Sequence, residues 1–245
     1  AVDKLGEILD LPLERSQGEA PPCEPGSTGT LRVREVELGG SSGRLSDVSF
    51  ELSPGERLSV SAESDVTTSE LVHAIFGLDT IRAGVIEVGG HDIRDLTLPA
   101  LRSRVALVRG PEVFPGRVFD NLRAANSSLS SEEAWKVLDR VGLYDAVKQL
   151  PSGLQTSLLV DGAPLSRSQA VALTVARAIA SEPSVLVLDR TLDHLDPHQS
   201  IRLIERLNST RSFSLLVVSD DPRMHERMDR HLHITERPPR QNEAA

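Results

Sequence analysis

The stretch Val185-Leu186-Val187-Leu188-Asp189 decides the fold class of this chain. Its first four residues are aliphatic and its last is a carboxylate. Residues 215–218 form a second continuous apolar run. Short runs of this kind are typical of strands that are covered on both faces, as in a parallel sheet. Asp189 is therefore predicted to end a buried strand.

Strand-like and helix-like segments alternate on both sides of these runs. Further strands are predicted at residues 31–38, 45–52, 57–60, 85–88 and 105–108, the first of them with an irregularity. Helices are predicted at residues 69–76, 130–141 and 168–180. Strands that alternate with helices predict an α/β protein.

The composition describes a chain that can form a core and that carries excess negative charge. Of its 245 residues, 39% are hydrophobic, and the net charge of −9 argues against electrostatic binding of nucleic acid. The single cysteine, Cys23, excludes an internal disulfide. No apolar run reaches the ~18 residues of a membrane helix, and residues 1–10 lack the apolar region of a signal peptide. The sequence predicts a soluble, cytosolic piece of a longer chain.

Both ends of the chain differ in composition from the middle. Residues 1–13 place their apolar side chains on one helical face, and residues 14–30 are rich in Pro, Gly, Ser and Glu. We expect the end of a helix there, followed by a linker. Residues 238–245 belong to a polar stretch that is expected to be a flexible tail.

Several short motifs between residues 31 and 235 match one known family. They are Leu45-Ser46-Asp47-Val48-Ser49-Phe50, Pro54-Gly55-Glu56, Ala83-Gly84-Val85-Ile86, Gly90-His91-Asp92-Ile93, Leu101-Arg102, Leu150-Pro151-Ser152-Gly153, Leu165-Ser166, Ala176-Arg177-Ala178, the Val185-to-Asp189 run and Leu195-Asp196. Together they resemble the nucleotide-binding domain of an ABC exporter. Upstream, Glu7-Ile8-Leu9-Asp10 resembles the segment that joins an exporter's last membrane helix to this domain.

The resemblance implies a fold, partners and a location. The fold would be a P-loop NTPase-like sheet core with an antiparallel β subdomain and a helical subdomain at about residues 115–178. The domain would span residues 31–237, after a helix end and linker at 1–30 and before a tail at 238–245. Its partners would be the transmembrane domain of an exporter and a second nucleotide-binding domain, on the cytoplasmic side of the cell membrane.

The phosphate loop of the family, G-x-x-G-x-G-K-[ST]-[ST], aligns with residues 61–69. Ser61, Ser64 and Val66 stand at the positions of its glycines, and Thr67 stands at the position of its lysine. Those glycines let backbone N–H groups approach phosphate, and the lysine meets the outer phosphates. By resemblance alone, the expected cofactor would be Mg-ATP. The replaced glycines and lysine instead predict that no cofactor is bound.

The start of the following helix carries acids and hydroxyls. Thr68 and Ser69 match the pair that faces magnesium in the family, or they are ordinary residues of a helix N-terminus. Glu63 and Asp65 place carboxylates where a polyphosphate would lie. We expect one of them to occupy the anion space, so that a carboxylate or hydroxyl accepts backbone N–H groups between residues 66 and 70.

Other chemical positions of the family also differ. The glutamine that reaches magnesium and water would fall at Arg109 or Gly110, and the adenine-stacking aromatic would fall near Gly40. The general-base glutamate would fall at Arg190, which stays protonated and cannot accept a proton at neutral pH. The switch histidine would fall at Asp220.

The signature motif L-S-G-G-Q reads Leu165-Ser166-Arg167-Ser168-Gln169, so its glycines are replaced by larger residues. Ser166 and Gln169 are either helix caps or ligands of a nucleotide phosphate on a partner subunit. The coupling-loop glutamate would fall at Val160.

Asp189 alone keeps its family identity after the buried strand. It would either cap a neighbouring loop or, together with Thr68, hold Mg²⁺ if that ion binds. Arg190 is expected to form a salt bridge, with Asp193 or Asp196 as its partner.

Two functions follow from these positions. The first is a degenerate, non-hydrolytic nucleotide-binding domain that serves as dimer partner or scaffold in an ABC exporter and is inactive by itself. The second is a half-site, in which Ser166 and Gln169 complete an ATP-hydrolysing site with an intact phosphate loop on a partner subunit. An unrelated dinucleotide-binding enzyme is disfavoured, because no G-x-G-x-x-G follows a strand.

His231 and His233 alternate on a strand-like stretch and are expected at the surface.

Overall fold

The computed structural model describes residues 29–38, 46–81 and 83–235. The predicted helix end, Cys23, nearly all of the linker, Gly40 and the tail at 238–245 lie outside these residues. The strands are β1 (Leu31–Leu38), β2 (Ser46–Leu52), β3 (Arg57–Ala62), β4 (Val85–Val88), β5 (His91–Asp92), β6 (Val105–Val108), β7 (Gly116–Arg117), β8 (Ser157–Leu158), β9 (Val185–Asp189), β10 (Ser214–Val218) and β11 (Arg230–Ile234).

The helices lie between these strands and confirm the α/β class. They are α1 (Asp65–Ile75), α2 (Leu98–Arg104), α3 (Val118–Arg123), α4 (Ser131–Arg140), α5 (Tyr144–Lys148), α6 (Arg167–Ala180), α7 (Pro197–Asn208) and α8 (Pro222–His225), with short 3₁₀ turns at Gly153–Gln155 and Thr191–His194. Ser130 caps α4 through a reciprocal pair of hydrogen bonds with Glu133.

A parallel sheet forms the core, with the strand order β11-β3-β10-β9-β6. Every residue of β9 and of β10 is buried, which confirms that both faces of these strands are covered. Because parallel strands end at one edge, the residues that follow β3, β6, β9 and β10 come together there. The candidate site lies at this edge.

A separate antiparallel sheet has the order β2-β1-β4-β5. The irregularity that the sequence predicts in β1 is a register shift between Val33 and Val36. Glu35 takes a positive φ of 48° there, and its N–H donates to the hydroxyl of Ser49 at 2.8 Å. Helices α3 to α5 and the β7–β8 pair fall within the predicted helical subdomain, and α6 extends two residues past its predicted end; the exact boundaries of the subdomain stay a prediction.

A fully buried arginine fastens the sheet to α7. Arg57, the first residue of β3, donates to the backbone carbonyls of Leu207, Thr210 and Phe213, the first of them at 3.0 Å. Burial lowers the pKa of Arg57 to about 10. The carbonyls at a helix C-terminus need donors, and a cation also suits the negative end of the helix dipole. The sequence pattern places Arg57 in a strand but does not indicate that its side chain binds these carbonyls.

Candidate functional site

The segment that aligns with the phosphate loop is a short connection followed by helix. Only Glu63 and Ser64 separate β3 from α1. The helix begins at Asp65, four residues before the predicted start, so Val66 is helical and takes none of the positive φ angles found among the described residues. A residue other than glycine avoids those angles, which explains why the helix extends into the segment.

A hydroxyl caps this helix. The Ser64 hydroxyl accepts the N–H of Val66 at 3.2 Å, which matches the expected bond to an N–H between residues 66 and 70. A serine hydroxyl, and not the predicted carboxylate of Glu63 or Asp65, accepts this N–H. The Asp65 carboxylate instead pairs with Arg190, because a guanidinium is the stronger partner for a carboxylate.

The remaining hydroxyl residues of the segment lie within α1 or β3. Thr68 is fully buried, and its hydroxyl donates to the carbonyl of Asp65 at 3.0 Å. Thr67 is also buried, and Ser69 is half-buried in the same helix. Ser61 lies within β3, and its hydroxyl is 2.9 Å from Nδ1 of His233. The fold therefore gives each hydroxyl a place in ordinary secondary structure.

Asp189 is a buried carboxylate with one ion-pair partner among the described residues. Its exposed fraction is 7%, and its Oδ2 accepts Nε of Arg109 at 3.2 Å. Its Oδ1 is buried and has no hydrogen-bond partner in the part of the chain that the structure describes. Of the two positions that the sequence left open for the family's glutamine, Arg109 reaches Asp189, while Gly110 packs against His194.

Arg190 joins three acidic side chains. Its guanidinium bonds to Asp65 at the start of α1, lies 3.1 Å from Oδ2 of Asp220 after β10, and lies 3.8 Å from Oδ2 of Asp193. The salt bridge with Asp193 confirms the predicted role of Arg190. Burial raises the pKa of Asp193, while Arg190 opposes the rise.

Asp196, the other predicted partner of Arg190, has a different role. Its carboxylate caps α7 and accepts the N–H groups of His198 and Gln199, each at 3.0 Å. Pro197 at the first helical position makes Asp196 the N-cap, and an aspartate there satisfies backbone donors that would otherwise lack partners. The Asp196 carboxylate is therefore engaged in capping α7 and not in a salt bridge with Arg190.

The signature residues cap the 14-residue helix α6. The Ser166 hydroxyl accepts the N–H of Gln169 at 3.3 Å, and the Gln169 side chain accepts the N–H of Ser166 at 2.8 Å. Arg167, at the position of the first glycine, donates to Nδ1 of His194 at 3.0 Å. Both predicted caps are formed, and Ser166 is exposed. Val160 is 80% exposed.

The sequence predicts His231 and His233 at the surface, but it does not predict the cluster that they form with His225. The rings of His225 and His231 stack with centroids 3.7 Å apart. Nδ1 of His231 is 2.9 Å from the hydroxyl of Ser59, a residue buried in β3. His231 and His233 are exposed, as predicted, but both contact serines of β3. The alternation along β11 was the available signal, since it places both rings on one face.

Neither a membrane span nor a metal cluster is found in the described ranges. Within residues 29–38, 46–81 and 83–235, no helix is both long and apolar enough to cross a bilayer. The same residues hold no group of three or more His, Cys, Asp or Glu side chains arranged to bind a metal ion.

The parallel core with an appended antiparallel sheet and a helical region defines an ABC-type ATP-binding domain fold. One solved structure with this fold, "Structure of a bacterial Atm1-family ABC exporter with ATP bound", superposes with a TM-score of 0.81 over 95% of this chain and 41% of that chain, at 19% sequence identity. The chain belongs to the ABC transporter family, whose family model matches residues 45–192.

Curated relatives agree with this assignment. The chain is 31% identical over 170 residues to the mitochondrial iron-sulfur clusters transporter ABCB7 of Oryzias latipes, covering 68% of this chain and 23% of that protein. It is 32% identical over 211 residues to the ATP-dependent lipid A-core flippase of Xylella fastidiosa, covering 84% and 35%. The chain thus spans about a quarter to a third of the length of these relatives.

Proposed function

We propose that this chain is a non-hydrolytic nucleotide-binding domain of an ABC exporter, which acts in transport as a dimer partner or scaffold. The observation that carries the proposal is the state of Arg190. It follows Asp189 directly, at the expected place of the general base, and its guanidinium contacts three carboxylates. A guanidinium cannot take a proton from water at neutral pH.

The poor fit of the aligned residues to Mg-ATP supports the same proposal. The phosphates of a nucleoside triphosphate are bound by backbone N–H groups and a cationic side chain. Mg²⁺ is bound by oxygen ligands that are not engaged elsewhere. Here the helix begins two residues before Thr67, no lysine stands at that position, and the Asp189 carboxylate is engaged by Arg109. These residues do not fit Mg-ATP, so no catalytic step is assigned to them.

Partners and location follow from the family. We infer a transmembrane domain and a second nucleotide-binding domain as partners, and a position on the cytoplasmic side of the membrane. The names of the relatives, a transporter and a flippase, support the membrane context.

A second candidate is a half-site that completes an ATP-hydrolysing site on an intact partner. The observation that favours it is that Ser166 and Gln169 are both present, at the start of α6. Their mutual hydrogen bonds would have to open before either side chain could reach a phosphate. An intact exporter subunit that hydrolyses ATP only with this chain, and no longer with its Ser166→Ala variant, would favour this candidate.

A thermal melt tests the first proposal. Millimolar Mg-ATP is expected to leave the Tm of the chain unchanged, because stabilisation by a ligand vanishes when its Kd far exceeds its concentration. AMP serves as the matched control for nonspecific effects of nucleotide. A Tm rise of several degrees with ATP and none with AMP would contradict the proposal, as would ATP turnover that Asp189→Ala abolishes.

A further inference from the structure

The carboxylate of Asp189 is buried, so its negative charge needs a compensating partner. It is among the few buried charged groups of the described residues, and its Oδ1 has no hydrogen-bond partner there. A buried carboxylate without compensation is costly, so such groups are paired, protonated or bound to a metal ion.

We propose that Arg109 is a built-in counter-cation for Asp189, which neutralises the buried carboxylate and excludes a divalent cation from it. The inference deepens the proposed function. It concerns Mg²⁺ without nucleotide, so the two proposals can fail separately.

The sheet register places the two groups together. Strands β6 and β9 are parallel neighbours, and Val108 pairs with Leu188. Arg109 and Asp189 are therefore the next residues at the same edge, and the Nε–Oδ2 distance is 3.2 Å. The contact is consequently a property of the strand pairing and does not depend on a flexible loop.

The other nearby guanidinium is used elsewhere. Arg190 follows Asp189 in sequence, but its side chain contacts Asp65, Asp193 and Asp220. Among the described residues, Arg109 is thus the cation that pairs with Asp189. Its side chain is 40% exposed, so substitution leaves little unfilled space.

Charge and geometry both oppose a metal ion at Asp189 while Arg109 is in place. A guanidinium keeps its proton throughout the physiological pH range, so its charge does not switch off. Mg²⁺ requires a near-octahedral set of oxygen ligands and would face a fixed positive charge at one oxygen of the carboxylate. Without Arg109, the same carboxylate would retain its charge only with a replacement cation.

The test is a Mg²⁺ titration of the whole chain, followed by Tm at constant ionic strength. The native protein is expected to show no response. Arg109→Gln is expected to have a lower Tm without Mg²⁺ and to regain roughly 2–5 °C at about 10 mM Mg²⁺, for a Kd on the order of 1 mM. The double variant Arg109→Gln/Asp189→Asn should lose the response.

A matched control is Arg94→Gln, which removes an exposed arginine paired with Asp92. It should show no Mg²⁺ response. A native protein that is stabilised through Asp189 would overturn the proposal, and so would a folded Arg109→Gln variant without a Mg²⁺ response. If Arg109→Gln does not fold, Mn²⁺ line broadening in the NMR spectrum of the native protein decides: broadening of amides beside Asp189 overturns the proposal, and none supports it.

Discussion

Arginine side chains determine the electrostatics of this molecule at three separate places. Arg109 compensates a buried carboxylate, Arg190 joins several acids, and Arg57 is buried among carbonyls. The guanidinium suits all three roles because its planar donor set stays charged and can contact several acceptors at once. A lysine at these positions would keep the charge but would lose the fork of donors.

Arg57→Met is expected to destabilise the protein by about 2–4 kcal/mol. The substitution leaves the carbonyls of Leu207, Thr210 and Phe213 buried without donors, and each unsatisfied group carries a desolvation cost. Urea unfolding measures the change in free energy. Arg223→Met, which removes an exposed arginine bonded to Asp221, should change it by less than ~0.5 kcal/mol. Equal effects of the two substitutions would refute the assigned role of Arg57.

At the scale of elements, the strand pair β3–β11 carries a titratable contact. His231 lies on β11 opposite Ser59 and stacks on His225 of α8. Burial lowers the pKa of His231, and the neighbouring His225 and His233 lower it further. The edge strand is thus held most firmly when this histidine is neutral.

The stability of the protein is therefore expected to fall as the pH decreases. Because the pKa of His231 is lower in the folded protein than its ordinary value of 6.5, the unfolded chain binds more protons in acid. This contribution is fully present above pH ~6.5 and is lost below it. His231→Asn should flatten the decrease in Tm between about pH 7.5 and pH 5.5. His91→Asn, an exposed change on β5, is the control; an unchanged pH profile for His231→Asn would contradict the prediction.

Capping explains the largest difference between predicted and observed element boundaries, which is the start of α1. Helix α4 begins after Ser130, and α6 begins after Ser166, each with a reciprocal cap. Helix α1 begins at Asp65 because Ser64 supplies a cap that the family pattern had obscured. Local hydroxyls fix these starts without help from the rest of the fold.

For the whole molecule, Arg190 connects parts of the chain that belong to different elements. Asp65 starts α1, Asp220 follows β10, and Asp193 lies in the 3₁₀ turn after β9. One guanidinium therefore links the segments that follow β3, β9 and β10. Its removal would leave several acids close together.

Arg190→Glu is expected to destabilise the protein by about 1–2 kcal/mol, since it replaces attraction by repulsion among partly exposed groups. It should not produce ATP hydrolysis, because a base alone does not position a phosphate. Chemical denaturation and a phosphate-release assay measure the two effects. Arg190→Gln, which removes only the attraction, should cost less. ATP turnover by Arg190→Glu, or unchanged stability, would show that the network has another role.

Local sequence patterns predicted the buried strands β9 and β10 and the irregularity in β1. The apolar runs of β9 and β10, the irregularity in β1 and the cap of α4 depend on residues that are neighbours in the chain, so local patterns carry them. The residues that replace the family's phosphate-binding and catalytic residues are also identified from the sequence alone.

The roles of those exchanged residues depend on contacts between distant parts of the chain that the fold brings together. Arg109 and Asp189 are 80 positions apart, and Arg190 and Asp65 are 125 positions apart. Nothing in the local sequence identifies Asp65 as a partner of Arg190. The parallel register does so, because it brings the ends of β3, β6, β9 and β10 to one edge, where each charge pairs with the nearest group of opposite sign.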